Sequence, residues 1–142
     1  MTYPAHPIVA VGAVVFKDNR VLLTRRGKPP AENLWAIPGG CVLLGETLKQ
    51  AAKREIFEET NIRIKVGEPV FTFDIIDQDE TGRIRFHYVV VNLDAAYLSG
   101  GIRAGDDAKE AGWISETTLE TLDVVPITRY FLYHYYQFGK MS

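Results

Sequence analysis

A chain of 142 residues with 46% hydrophobic and 24% charged residues has the composition of a folded globular domain, not of a disordered segment. Its formal net charge of -2 argues against a nucleic-acid-binding surface, and its one cysteine, Cys41, excludes an internal disulfide framework and a cysteine-based zinc site. The N-terminal stretch lacks a basic region and its apolar run is too short to cross a bilayer, so a single domain over residues 1–142, cytoplasmic and without a membrane partner, is expected.

In chain order, Ile8–Phe16 is rich in β-branched residues and predicts a largely buried strand. Lys17–Arg20 is a turn, and Val21–Arg25 returns as the second arm of a hairpin. Gly27–Asn33 contains Pro29-Pro30 and reads as a loop; Trp35–Pro38 is short and extended, punctuated by Gly39-Gly40. Glu46–Thr60 contains no Gly or Pro and is the strongest helix signal. Ile62–Asp77 and Arg83–Leu93 are β-rich runs joined by a turn at Asp79–Gly82, and Ala95–Gly105 reads as loop. Trp113-Ile114 ends a short strand, Ser115–Leu122 is a short helix, and Pro126 suits the first turn of a last helix. Local hairpins dominate over βαβ units, which predicts an α+β domain, layered α/β/α, with a mixed β-sheet between helices.

The glutamates of Arg54–Thr60 (REIFEET) carry the chemistry. At about 100° per residue, with Leu48 at 0°, Ala52 and Ile56 fall at about 40° and about 80° and define the apolar stripe. Glu59 falls at about 20°, Glu55 at about 340° and Glu58 at about 280° on the same wheel. The carboxylates thus abut the buried stripe, while Lys49 and Lys53 occupy the far side. Ionised carboxylates beside a core are costly unless paired, and Glu55 and Glu59 repel each other at i,i+4. One arginine does not neutralise three glutamates; a hard divalent cation, Mg²⁺ or Mn²⁺, does. A solvated, ion-paired helix face is the alternative reading.

From Gly40 the sequence reads G-CVLLG-E-TLKQAAK-RE-I-F-EE-T-N-I, which resembles the Nudix box, G-x5-E-x7-R-E-U-x-E-E-x-G-U with U bulky and aliphatic. Gly40, Glu46, Arg54, Glu55, Ile56, Glu58, Glu59 and Ile62 match at the right spacings across 23 residues. Asn61 replaces the second glycine, at a helix end where Asn tolerates the left-handed conformation. The resemblance implies a Nudix-like fold and metal-dependent hydrolysis of a pyrophosphate bond in a small-molecule nucleotide. It implies that Gly40, Glu55, Glu58 and Glu59 hold Mg²⁺ or Mn²⁺, and that Glu46 and Arg54 brace the site by an ion pair.

Ala104–Ser115 (AGDDAKEAGWIS) is similar to a segment of the small ADP-ribose pyrophosphatase-type members, which makes ADP-ribose or a related nucleotide sugar the expected substrate. Against this, a proline that some ADP-ribose hydrolases carry beyond the box has no counterpart in Phe73–Asp77. Asp106, Asp107 and Glu110 are candidates for a base, a metal ligand or a substrate contact; Asp107 and Glu110 are preferred because they lie nearer a strand. The alternative is a plain polar loop. Arg25 or Arg26 is expected to reach a phosphate, against the alternative of two exposed strand-end charges. Trp35 is a candidate to stack on a base, against a place in the core. His87 reads as structural and Cys41 as a small buried residue. Aromatics occupy almost every side of the last helix, so packing on the sheet and a homodimer interface both stand. A nucleoside triphosphate pyrophosphohydrolase of the house-cleaning type and a non-catalytic nucleotide-sensing module are the competing functions.

Overall fold

The computed structural model describes residues 3–140. Strand β1, Ile8–Lys17, and β2, Arg20–Arg26, form an antiparallel hairpin in which Lys17 pairs with Arg20. The two residues between them, Asp18 and Asn19, both have positive φ (52 and 62), the conformation a tight hairpin demands and Asp and Asn tolerate. Short strands β3, Trp35–Ala36, and β4, Gly39–Cys41, pair with β2 and β1 respectively. After helix α1, Leu48–Thr60, the long strands β5, Arg63–Gln78, and β6, Ile84–Ser99, make an antiparallel hairpin. Strand β6 lies parallel to β1, and β7, Ala108–Ile114, is antiparallel to β2. Helices α2, Glu116–Leu119, and α3, Pro126–Tyr136, complete the chain. The result is the mixed seven-stranded sheet between helices that the pattern of elements predicts.

Alternation along the strands divides the core in two. Val11, Ala13, Val15, Leu22 and Leu93 project to one face and bury Ala51, Ala52 and Ile56 of α1. Val14, Val21 and Leu23 project to the other and bury Leu119 of α2 and Phe131 and Leu132 of α3. Pro126 stands in the first turn of α3, as expected.

Four sequence expectations of local structure need correction. Helix α1 begins at Leu48, not Glu46, because Thr47 caps it: its hydroxyl accepts from the Gln50 N–H and the Gln50 side chain accepts from the Thr47 N–H. Ala95–Ser99 is strand and not loop, since it finds partners in Arg63–Val66 of β5. Gly39-Gly40 is not mere punctuation but part of β4, and Cys41 at its end is exposed, not buried. No helix among the described residues is long and apolar enough to cross a membrane.

Candidate active site

The capping box that starts α1 at Leu48 leaves Glu46 in the preceding turn, where it turns back toward the helix. Its carboxylate accepts from the Leu43 N–H at 3.0 Å and from Arg54 Nε and Nη2 at 2.7 and 2.9 Å. The Arg54 guanidinium, with the Leu43 N–H, holds the Glu46 carboxyl at about 2. Arg54 also donates to Glu55 at 2.6 Å, to Glu58 at 3.3 Å and to the Cys41 carbonyl at 3.0 Å. One guanidinium therefore ties the turn, strand β4 and two carboxylates of the helix into a single network.

The remaining glutamates follow the order of the helical wheel. Glu59, nearest the apolar stripe, is buried, with 8% of its surface exposed; Glu55 is partly buried; Glu58 is exposed. Glu59 has no hydrogen bond or ion pair among the described residues, and burial pushes its carboxyl up to about 8, with the neighbouring Glu55 adding to the effect. Burial also raises Glu55, overcoming its ion pair with Arg54.

Asp106 completes the group from outside the helix. The last carbonyls of α1 have no helical partners, and the loop after β6 supplies them: Arg103 N–H donates to Thr60 O and Gly105 N–H to Glu59 O, both at 3.0 Å. Gly105 sits so close to the helix that a Cβ there would lie 2.7 Å from the Glu58 carbonyl. Held in this way, Asp106 brings a carboxylate oxygen within 4.8 Å of those of Glu55 and Glu58. Sequence reading names Asp106 but prefers its neighbours; the Gly105-Asp106 pair, a small residue followed by one tolerant of its φ of 53, is the signal.

Three carboxylates this close, two on one helix and one on a clamped loop, fit a hard divalent cation. The glycines of β4 are shaped to the same site. A Cβ on Gly40 would overlap the Glu55 carboxylate, and one on Gly39 would overlap the Val11 carbonyl. Gly39 therefore serves the close approach of β4 to β1, and Gly40 makes room for a glutamate.

A cavity of about 630 Å³ opens from these residues. Glu55, Glu59 and Gly40 line it, with Arg26, Lys28 and Asp107 nearby, and Lys28 pairs with Asp107 at 2.8 Å. The expected substrate contacts are thus divided. Arg26 and Asp107 line the cavity, whereas Arg25, Trp35 and Glu110 do not. Period-two alternation sends Arg25 to the opposite side of β2 from Thr24 and Arg26, where it pairs with Glu110 of β7 at 2.5 Å. Trp35, the register partner of Arg25, packs against the α3-side core. Lys28 escapes sequence reading because a lysine in a Pro-rich loop carries no periodicity.

The NUDIX domain family model matches residues 6–135. An ADP-ribose pyrophosphatase of Methanocaldococcus jannaschii is 38% identical over 117 residues, covering 82% of this chain and 67% of that protein. A Mycobacterium tuberculosis protein named "Putative 8-oxo-dGTP diphosphatase 2" is 32% identical over 126 residues, covering 86% of this chain and 82% of that one. Among solved structures, a MutT NUDIX hydrolase from Burkholderia pseudomallei superposes with a TM-score of 0.77 at 30% identity, covering 92% of this chain and 98% of that chain. Together with the carboxylate network on α1 and the glycine strand against it, these matches establish that the chain belongs to the NUDIX family of pyrophosphohydrolases.

Proposed function

We propose that this Nudix hydrolase cleaves the pyrophosphate bond of a nucleoside diphosphate derivative, with ADP-ribose or a related nucleotide sugar as substrate and Mg²⁺ or Mn²⁺ as cofactor. The observation that carries the reading is the cavity itself. It joins the carboxylates Glu55 and Glu59 and the cations Arg26 and Lys28 to an apolar wall that includes Phe73 and Tyr88. That combination suits a molecule with a charged diphosphate and a flat base. The 38% identity to the Methanocaldococcus jannaschii ADP-ribose pyrophosphatase supports the choice.

In this proposal Glu55, Glu58 and Asp106 hold the cation, with Glu59 and the Gly40 carbonyl beside them. A bound Mg²⁺ or Mn²⁺ lowers the pKa of coordinated water and offsets charge on phosphoryl oxygens. Arg26 and Lys28 orient the diphosphate. Arg54 and Glu46 act as positioning residues, since their ion pair fixes where Glu55 and Glu58 stand. A cytoplasmic location, and a homodimer built on the exposed aromatics of α3, belong to the same proposal.

The second reading, a nucleoside triphosphate pyrophosphohydrolase, is favoured by the Mycobacterium tuberculosis relative. A hydrolysis screen with Mg²⁺ and with Mn²⁺, over ADP-ribose, NADH, dinucleoside polyphosphates, nucleotide sugars and nucleoside triphosphates, decides between them. Release of AMP and ribose 5-phosphate from ADP-ribose is expected. Turnover confined to triphosphates replaces the first reading by the second, and no turnover of any substrate leaves a nucleotide-sensing module.

A further inference from the structure

Few polar side chains in this protein are buried, and they are not scattered. Among the described residues five polar or charged ones are buried, Thr24, Glu59, Thr60, Asn92 and Thr128, and all except Thr60 line the cavity described above. Thr60 has an internal partner, the Ile56 carbonyl at 2.6 Å. The side chains of Asn92 and Thr128, with 4% and 6% of their surface exposed, make no hydrogen bond among the described residues. Among the described residues no polar side-chain atom is both sealed from solvent and without a partner. The amide of Asn92 is therefore reached from the cavity, the open space that its residue lines.

An amide in the interior of a strand of the form VVVNL, without a protein partner and open only to the cavity, serves no packing or hydrogen-bonding need of the fold. Its surroundings say what it awaits. Val91 and Leu93, on either side in β6, pack toward α1, so Asn92 projects toward α3 together with Val90 and Tyr88. Across the β5–β6 ladder Phe73 and Ile75 stand opposite Val90 and Tyr88, and all four line the cavity. Aromatic and apolar walls around one amide are the surroundings in which a flat heterocycle stacks while its edge is read by hydrogen bonds. The way to the carboxylates is kept open by glycines. Gly12 would overlap the Asn92 amide oxygen if it carried a Cβ, and it pairs with Gly39, the neighbour of the Gly40 that makes room for Glu55.

We propose that Asn92, assisted by Thr128 at the start of α3, is the residue that selects the base of the substrate. Its amide offers a donor and an acceptor side by side, matching the ring nitrogen and exocyclic amine of adenine. The choice of adenine rests on the ADP-ribose reading above; the assignment of Asn92 as the base reader rests on the cavity.

The test compares AMP with IMP, which differ by exchange of that amine for an oxo group, in titration calorimetry with the wild type and with Asn92→Val. The wild type is expected to bind AMP more tightly, and Asn92→Val to weaken AMP about tenfold and bring the two ligands level. Its KM for any adenine substrate rises by about the same factor with kcat within about twofold. Its Tm is expected to be unchanged or higher, because the amide has no internal partner to lose. Equal weakening of both ligands, or unchanged binding of both, overturns the proposal, as does a fall in Tm that shows the amide to be structural. Thr128→Val is the second variant, expected to weaken AMP in the same direction and by less; full AMP affinity in both variants removes the site. An enzyme that discriminates AMP from IMP through Asn92 and yet leaves ADP-ribose uncut loses the proposed substrate and keeps the base reader.

Discussion

Glu59 is a buried carboxyl on the apolar side of α1 with no ion pair among the described residues, and its burial, only partly offset by Arg26, sets its titration. Its folded value of about 8 stands above the ordinary 4.5, so between those values the folded chain binds more protons than the unfolded one. The associated stability is fully present below about pH 4.5 and is lost as pH rises through about 8. The metal-free protein is therefore expected to show a Tm that declines across this window, and Glu59→Gln to flatten the decline; an equal decline in the variant assigns it to another group. Because a cation binds the ionised carboxylate, the rise in Tm on adding Mg²⁺ should grow with pH over the same range. Glu58 is exposed, so Glu58→Gln tests the site without disturbing the core. A fall in kcat by about two orders of magnitude with unchanged Tm is expected. Full activity in that variant sinks the metal-site assignment. The burial order of the three glutamates was legible in the sequence, because helical period alone sets their angle to Leu48, Ala52 and Ile56. The nearness of Asp106 to Glu55 and Glu58 is not legible there, because its place depends on carbonyls of a helix more than forty residues away along the chain.

Helix α1 carries most of the site, and both of its ends are set by short-range chemistry. At its C-terminus Asn61 adopts φ 67, and its side-chain amide donates to the Gly101 carbonyl at 2.9 Å. The replacement of the family's glycine thus adds a tie to the loop that delivers Asp106. Asn61→Ala is expected to lower stability by about 1–2 kcal/mol through the left-handed backbone alone. Asn61→Gly keeps the turn and loses the tie, so denaturant unfolding should show a smaller loss; equal losses in the two variants contradict this account. The loop itself is tested by Gly105→Ala, whose added Cβ meets the Glu58 carbonyl and lifts Asp106 away. Its affinity for Mn²⁺ is expected to weaken about tenfold or more, with the secondary structure retained by circular dichroism. The hairpins and α1 could be read locally because turn residues, caps and periodicity are local. The extension of β6 to Ser99 and the strand character of Gly39–Cys41 could not, since both exist only through pairing with β5 and β1.

Across the whole molecule the two helical layers have different tasks. The α1 layer holds the carboxylates, while the α3 layer closes the cavity and buries Phe131 and Leu132 against the sheet. Packing on the sheet thus accounts for the inner aromatics of α3, and Phe71 stacks on Phe131 with ring centroids 4.9 Å apart. Tyr130, Tyr133 and Tyr135 remain 42%, 39% and 50% exposed, on more than one side of α3, and they are the residues through which the proposed homodimer is tested. Light scattering at micromolar concentration is expected to give the mass of a dimer, and Tyr133→Glu with Tyr135→Glu that of a monomer; a monomeric wild type removes the interface. By itself the sequence determined the layered fold, the helix that bears the chemistry and the family. Those follow from hydrophobic period and from residues at fixed spacing along one helix. Only the tertiary structure decided that Asp106 joins Glu55 and Glu58, that Arg26 and not Arg25 faces the cavity, and that Asn92 looks into it. Each of these depends on strand register, where a step of one residue turns a side chain to the opposite face, and register is fixed by partners far away in the chain.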